Sequence, residues 1–275
     1  MALTAFQRAV CRLLASSRRE RESYVAGGVA LNKLLASPRL SRDIDLFHDT
    51  KEALVRTVAQ DREILSTAGY GLRFLRETPT YAEAELSQGA ESTLIQWVHD
   101  SAYRFFPLIE DDDLGLTLHA LDLATNKVLA MAGRLEARDW IDVMTCHDGL
   151  QPLGYLVWAA CGKDPGYGPS SLLQEIRRGS LYSQAEMDLL SFEGTPPDAK
   201  ALGSRWHGLL GKAQTVCELL PVDEVGTCVI TRDGELCRLS PEDLEEGLRD
   251  GRVAFHRGRI GGAWPTFPEG TPPRL

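Results

Sequence analysis

The sequence predicts an α+β protein, with a small mixed sheet flanked by helices followed by a helical C-terminal half. Three observations predict it. Apolar residues recur at helical spacing in residues 4–19 and 50–69, with the short apolar runs SYVAGG and SRDIDLFH between them. Residues 70–101 alternate and are interrupted by turn residues, the pattern of two or three antiparallel strands. From residue 118 onward helical spacing dominates.

The elements follow in order. Residues 4–19 read as an amphipathic helix ending in the basic run RRERE. Its apolar residues are interrupted by Gln7, Arg8 and Arg12, so it is not the continuous apolar core of a signal peptide. SYVAGG is a short strand closing on Gly27-Gly28, and VALNKLLA returns to helical character until Pro38 breaks it. SRDIDLFH is the next strand, and the helix of residues 50–69 stops at Gly69. After the alternating stretch comes an acidic loop, IEDDDLG. Residues 118–147 are one helix kinked near Gly133, or two helices. A helix, a Gly/Pro loop and another helix follow, and SFEGTPPDAK reads as a linker. Residues 199–220 form a further helix. Short strands around Asp233-Gly234 and a small helix, SPEDLEEGL, complete the chain, with Ser240 and Asp243 resembling a capping box. The expected division is 1–117, 118–195 and an appended tail, 196–275.

Composition narrows the function. With 275 residues and 43% hydrophobic content the chain can bury a substantial core. A net charge of −9 does not steer it to nucleic acid as a whole, so a polyanion would need a local patch such as Arg18, Arg19, Arg21 or Arg104. No stretch approaches a membrane span in length. Six cysteines without a Cys-x-x-Cys pair argue against a disulfide scaffold or a structural zinc, and for a reducing, cytoplasmic setting. Neither a Walker A sequence nor a nucleophile elbow is present.

The informative residues are two acids. Asp43 and Asp45 lie two apart on a strand and project to one face, while Ile44 points the other way. Such a pair needs a raised pKa, a basic partner or a metal, unless it is simply the outward face of an edge strand. Mg2+ suits it, because that ion takes hard oxygen ligands and substrate phosphates. Upstream, Gly27-Gly28 opens a helix directly after a strand, where backbone N–H groups can approach phosphate.

YVAGGVALNKLLASPRLSRDIDLF, of the form Gly-Gly-x-Ala-Leu…Arg-x-Ser-x-Asp-Ile-Asp-Leu-Phe, resembles the opening motif of the DNA polymerase β-like nucleotidyltransferases, and most closely their AbiEii/AbiGii toxin branch. LDLATNKVLAMAGRLEARDWIDV is similar to the downstream helices of that branch, with a Lys followed by Arg-Asp-x-x-Asp. The resemblance covers roughly residues 20–180. It implies a polymerase β-like core that moves a nucleotide from an NTP to an acceptor hydroxyl and releases pyrophosphate. It also implies Asp43 and Asp45 as ligands of Mg2+ or Mn2+, and Gly27, Gly28, Ser41 and Arg138 around the nucleotide. Lys127 would contact the triphosphate, and Asp142, with Asp139 as a further candidate beside it, would match the family's downstream acid. A tRNA end is the favoured acceptor, and an antitoxin the implied protein partner. If residues 118–147 form one helix, Lys127, Arg134, Arg138 and Asp142 fall on one stripe, suited to a triphosphate or to a solvated face with i,i+4 pairs.

Three departures qualify this. Gln96 stands mid-strand where such enzymes often carry a third carboxylate, with Asp100 four residues on as a substitute. Val29 after the glycine pair offers no hydroxyl, and the spacing from Gly28 to Asp43 is a little long. A nucleotide-binding scaffold that has lost catalysis, or an interaction module using the tail, are therefore the competing readings. His48 is expected at the surface, and Trp140 and Trp158 in the core.

Overall fold

The computed structural model describes residues 3–18, 23–134, 136–178 and 182–266. The chain forms two compact units. The first is Met1–Ala102 with Pro107–His119 and Ser191–Gly194, and the second is Tyr103–Phe106 with Ala120–Leu190 and Thr195–Leu275.

The first unit contains, in chain order, α1 (Ala5–Ala15), β1 (Tyr24–Ala26), α2 (Gly27–Leu34), β2 (Asp43–His48), α3 (Lys51–Thr67), β3 (Gly71–Thr78), β4 (Tyr81–Gln88) and β5 (Glu91–His99). The short β6 (Tyr103–Arg104) belongs to the second unit, and β7 (Ile109–Asp111) and β8 (Gly115–Thr117) return to the first. Its mixed sheet has the order β3-β4-β5-β2-β1-β8-β7. β2 runs parallel to β5 and antiparallel to β1.

Alternation in sequence becomes two unlike faces. Ile44, Leu46, Ala82, Ala84, Leu86, Ile95 and Trp97 are buried on one face, against which α1 and α3 pack. The opposite face is half-buried and carries Asp43, Asp45, Glu83, Glu85 and Gln96. Thr4 and Gln7 close a capping box at the start of α1, and Thr50 caps α3. The Gln7 amide then donates 3.0 Å to the carbonyl of Ser41, tying α1 to the loop before β2.

The second unit begins with α4 (Ala120–Gly133) and α5 (Ala137–Gly149). The 118–147 stretch is therefore two helices, broken after Gly133. It continues with α6 (Leu153–Ala160), α7 (Pro169–Arg178), α8 (Gln184–Asp188), α9 (Ala199–Leu219), β9 (Cys228–Thr231), α10 (Pro241–Arg249), β10 (Val253–His256) and β11 (Arg259–Ile260). Trp140 and Trp158 are buried here.

The stretch after residue 195 is not a unit of its own. Tyr155 and Trp158 of α6 share one core cluster with Val216, Leu220, Val229, Cys237 and Leu244. Burying those faces together is what makes helix and tail one body. The expected linker SFEGTPPDAK is also tied down at its start. Ser191 accepts from the Leu40 N–H, Glu193 N–H donates to Pro38, and Phe192 bridges to Arg39.

Candidate active site

The centre of the first unit's half-buried face is built on a tight strand-to-helix junction. β1 ends at Ala26 and α2 starts at once with Gly27, which has φ +64°. That left-handed backbone favours glycine. A Cβ at Gly27 would also run into the side chain of Asp45, 2.6 Å from its Cγ. At Gly28 a Cβ would stand 2.7 Å from the Ser41 hydroxyl and 2.9 Å from a guanidinium nitrogen of Arg39. The two glycines therefore let Asp45, Ser41 and Arg39 close directly onto the first turn of α2.

The loop that presents Ser41 is held on several sides. The Asn32 amide donates 2.9 Å to the Arg39 carbonyl, and the Thr93 hydroxyl donates 2.7 Å to the Arg42 carbonyl. Arg39 and Ser41 are both buried. Asp43 and Asp45 follow on β2, on one face and half-buried, as their spacing requires. Gly27, Gly28, Ser41, Asp43 and Asp45 are thus brought together in this unit. Arg39 was missed as a site residue from sequence, although it opens the Arg-x-Ser-x-Asp segment.

The donor set fits a hard divalent cation. It consists of two carboxylates from one strand beside backbone N–H groups at a helix start. Among the described residues no group of three or more His, Cys, Asp or Glu could hold a metal. Water and substrate phosphate would complete the shell around an ion at Asp43 and Asp45.

Gln96 stands beside Asp45 in register, so the neighbouring position on β5 is an amide. The Gln96 amide donates 3.2 Å to Glu83 on β4. Asp100 does not take its place. It lies past the end of β5, beyond the His48–His99 pair, and is exposed, roughly 13 Å along the strand from Gln96.

In the second unit Lys127, Asp139 and Asp142 form a buried cluster across α4 and α5. The Lys127 Nζ lies 2.7 Å from Asp139 and 3.0 Å from Asp142. Arg134 adds a 2.6 Å bond to Asp139. Burial alone would raise the Asp139 carboxyl, but Lys127 and Arg134 outweigh it and hold its pKa below the ordinary value. The single-helix stripe of Lys127, Arg134, Arg138 and Asp142 is corrected. The chain turns after Gly133, and Lys127 meets Asp142 from a different helix. Arg138 lies on α5, 3.9 Å from Glu136.

Two further expectations change. His48 is fully buried, because it shares the core-facing side of β2 with Ile44 and Leu46. Burial first, and the Arg18 charge with it, push its imidazole down to about 4, against opposing hydrogen bonds from the backbone. Arg18 and Arg104 are buried rather than forming a basic patch. Arg18 donates 2.6 Å to Ser23 and sits 3.7 Å from Asp61. Arg19 and Arg21 lie outside the described residues.

The mixed sheet thus sets a Gly-Gly helix start directly against an Asp-x-Asp strand. Residues 8–153 match the family model described as "Nucleotidyl transferase AbiEii toxin, Type IV TA system", and the chain belongs to that family of nucleotidyltransferases. The fold is similar to that of MenT4, a nucleotidyltransferase toxin from Mycobacterium tuberculosis H37Rv, with TM-score 0.50 and 14% identity over 80% of this chain and 85% of that one. JHP933 from Helicobacter pylori matches at TM-score 0.49 and 13% identity, over 78% and 94% of the two chains. No curated protein matches the sequence. Among the described residues no helix is long and apolar enough to cross a membrane.

Proposed function

We propose that this enzyme is a metal-dependent toxin that transfers a nucleotide from an NTP to an acceptor hydroxyl, with a tRNA end as the favoured acceptor. The observation that carries the reading is the closure of Asp45 and Ser41 onto the Gly27-Gly28 turn. Gly27 and Gly28 give the NTP phosphates backbone N–H groups at the start of α2. The Ser41 hydroxyl orients the phosphate that lies there. Asp43 and Asp45 hold Mg2+ or Mn2+. Such an ion, when bound, neutralises charge on the phosphates and favours in-line displacement. Lys127, Arg138 and Asp142 carry the nucleotide-binding and acidic roles that the family resemblance gives them. The tRNA acceptor, an antitoxin partner and a cytoplasmic setting rest on the same family.

The test is incubation with each α-labelled NTP, Mg2+ or Mn2+ and total tRNA, beside the Asp43→Ala/Asp45→Ala double variant. Label entering tRNA with the wild type alone is the expected result. Transfer by the double variant at the wild-type rate would sink the mechanism. Gln96 beside Asp45 supports a second reading, in which NTP binds and no acceptor is modified. Metal-dependent pyrophosphate release rules that out.

A further inference from the structure

The register of the first unit's sheet sets one row of side chains across five strands. Ala26 is opposite Asp45, Asp45 opposite Gln96, Gln96 opposite Glu83, and Glu83 opposite Arg76. Residues opposite one another point to the same face, so Asp45, Gln96 and Glu83 stand side by side on the half-buried side of the sheet. At about 4.8 Å per strand, the backbones of Asp45 and Glu83 are roughly 9.6 Å apart, with only the Gln96 amide between them.

The two acids that β4 places on this face differ in their partners. Glu85 is claimed by Arg73, 2.5 Å away. Glu83 is met by a neutral donor, the Gln96 amide at 3.2 Å, and among the described residues no Lys or Arg forms an ion pair with it. Arg76, its neighbour in register, lies instead over the Tyr81 ring, 5.4 Å from the centroid. The amide aims the Glu83 carboxylate without neutralising it. Tyr81 lies against the same carboxylate. Burial first, then Glu83, and then Asp45 hold the Tyr81 phenol above its ordinary pKa, so both acids act on one small region of the face.

We propose that Glu83 is the proton acceptor for the attacking hydroxyl, and that Gln96 is the positioning residue that aims it. The inference rests on the nucleotidyltransferase reading above. An acceptor hydroxyl lying over Gln96 is bracketed by the α-phosphate on the Asp45 side and Glu83 on the other. Its O–H bond breaks and the proton passes to a Glu83 oxygen. The freed electron pair forms the bond to the α-phosphorus. The bond from that phosphorus to the α–β bridging oxygen breaks, and pyrophosphate leaves with the electrons. Glu83 then returns its proton to water.

The experiment compares wild type, Glu83→Gln, Glu85→Gln and Asp43→Ala in single-turnover transfer from α-labelled NTP to total tRNA. Equilibrium dialysis of labelled NTP and thermal melting are measured on the same samples. A general base contributes roughly 100-fold or more, so Glu83→Gln should slow transfer by about that factor with NTP affinity and melting unchanged. Glu85→Gln should stay within about twofold of wild type, far below the loss of a general base. Wild-type transfer by Glu83→Gln, alongside an inactive Asp43→Ala, overturns the Glu83 assignment alone. Loss of NTP binding or of folding in Glu83→Gln makes its role structural and also overturns it. No transfer by the wild type overturns both this inference and the reading on which it rests.

Discussion

The side chain of Asp45 occupies the space where a Cβ on Gly27 would stand. That contact joins the two motifs the family signature keeps apart in sequence. It makes the helix start and the acidic strand one surface.

Gly27→Ala should therefore be disproportionately harmful. The left-handed backbone alone costs about 1–2 kcal/mol for a residue with a Cβ. The displaced Asp45 carboxylate adds a loss of activity that the stability cost does not explain. Transfer assays beside urea denaturation check this. A variant that loses stability but keeps full activity would show that Asp45 has no need of its position against the turn.

Lys127 balances two buried acids, Asp139 and Asp142. Replacing it with Met leaves both beneath the surface without their shared cation, and removing one partner of a buried pair costs about 3–5 kcal/mol. Asp142→Asn should cost less, because Asp139 still pairs with the lysine. Denaturant midpoints of the two variants measure the difference. Equal losses would contradict the bridging geometry.

His48 gives the fold a defined acid sensitivity. Its pKa is about 4 in the folded chain against 6.5 when exposed. The unfolded chain therefore binds the extra proton between those values, and stability that is complete above about pH 6.5 declines as pH falls toward 4. The slope from this one group reaches about 1.4 kcal/mol per pH unit. His48→Gln should flatten the dependence of unfolding free energy on pH across that window. An unchanged slope would assign the acid sensitivity to other groups.

Deleting residues 196–275 should disrupt the second unit rather than trim it. Tyr155 and Trp158 would lose Val216, Leu220, Val229, Cys237 and Leu244 from their shared cluster. Limited proteolysis of a 1–195 chain should show cleavage within α4–α7 that the full chain resists. Resistance equal to that of the full chain would mean the helices pack without the tail.

Much of the site was legible because period and motif are local properties. Alternation in DIDLFH placed Asp43 and Asp45 on one face, and the glycine pair marked the helix start. The same alternation in YAEAELSQ marks Glu83 and Glu85, but nothing local says that Glu83 lies two strands from Asp45. A polar residue at a strand end is ordinarily solvated, so the sequence suggests a surface place for His48, whereas its parity with Ile44 and Leu46 turns it inward. The break between α4 and α5 was one of two readings, because a single Gly133 can interrupt a helix or merely weaken it.

The sequence by itself determined the family, the glycine turn, the acid pair and the approximate order of helices and strands. These depend on residue type and spacing along a few turns of chain. Tertiary structure alone decided that Asp45 lies on Gly27, that Lys127 bridges Asp139 and Asp142, that Gln96 aims Glu83, and that the tail completes the core around Tyr155 and Trp158. Each of these joins residues distant along the chain. Strand register and the burial of apolar faces select such partners, and both are settled only when the whole unit packs.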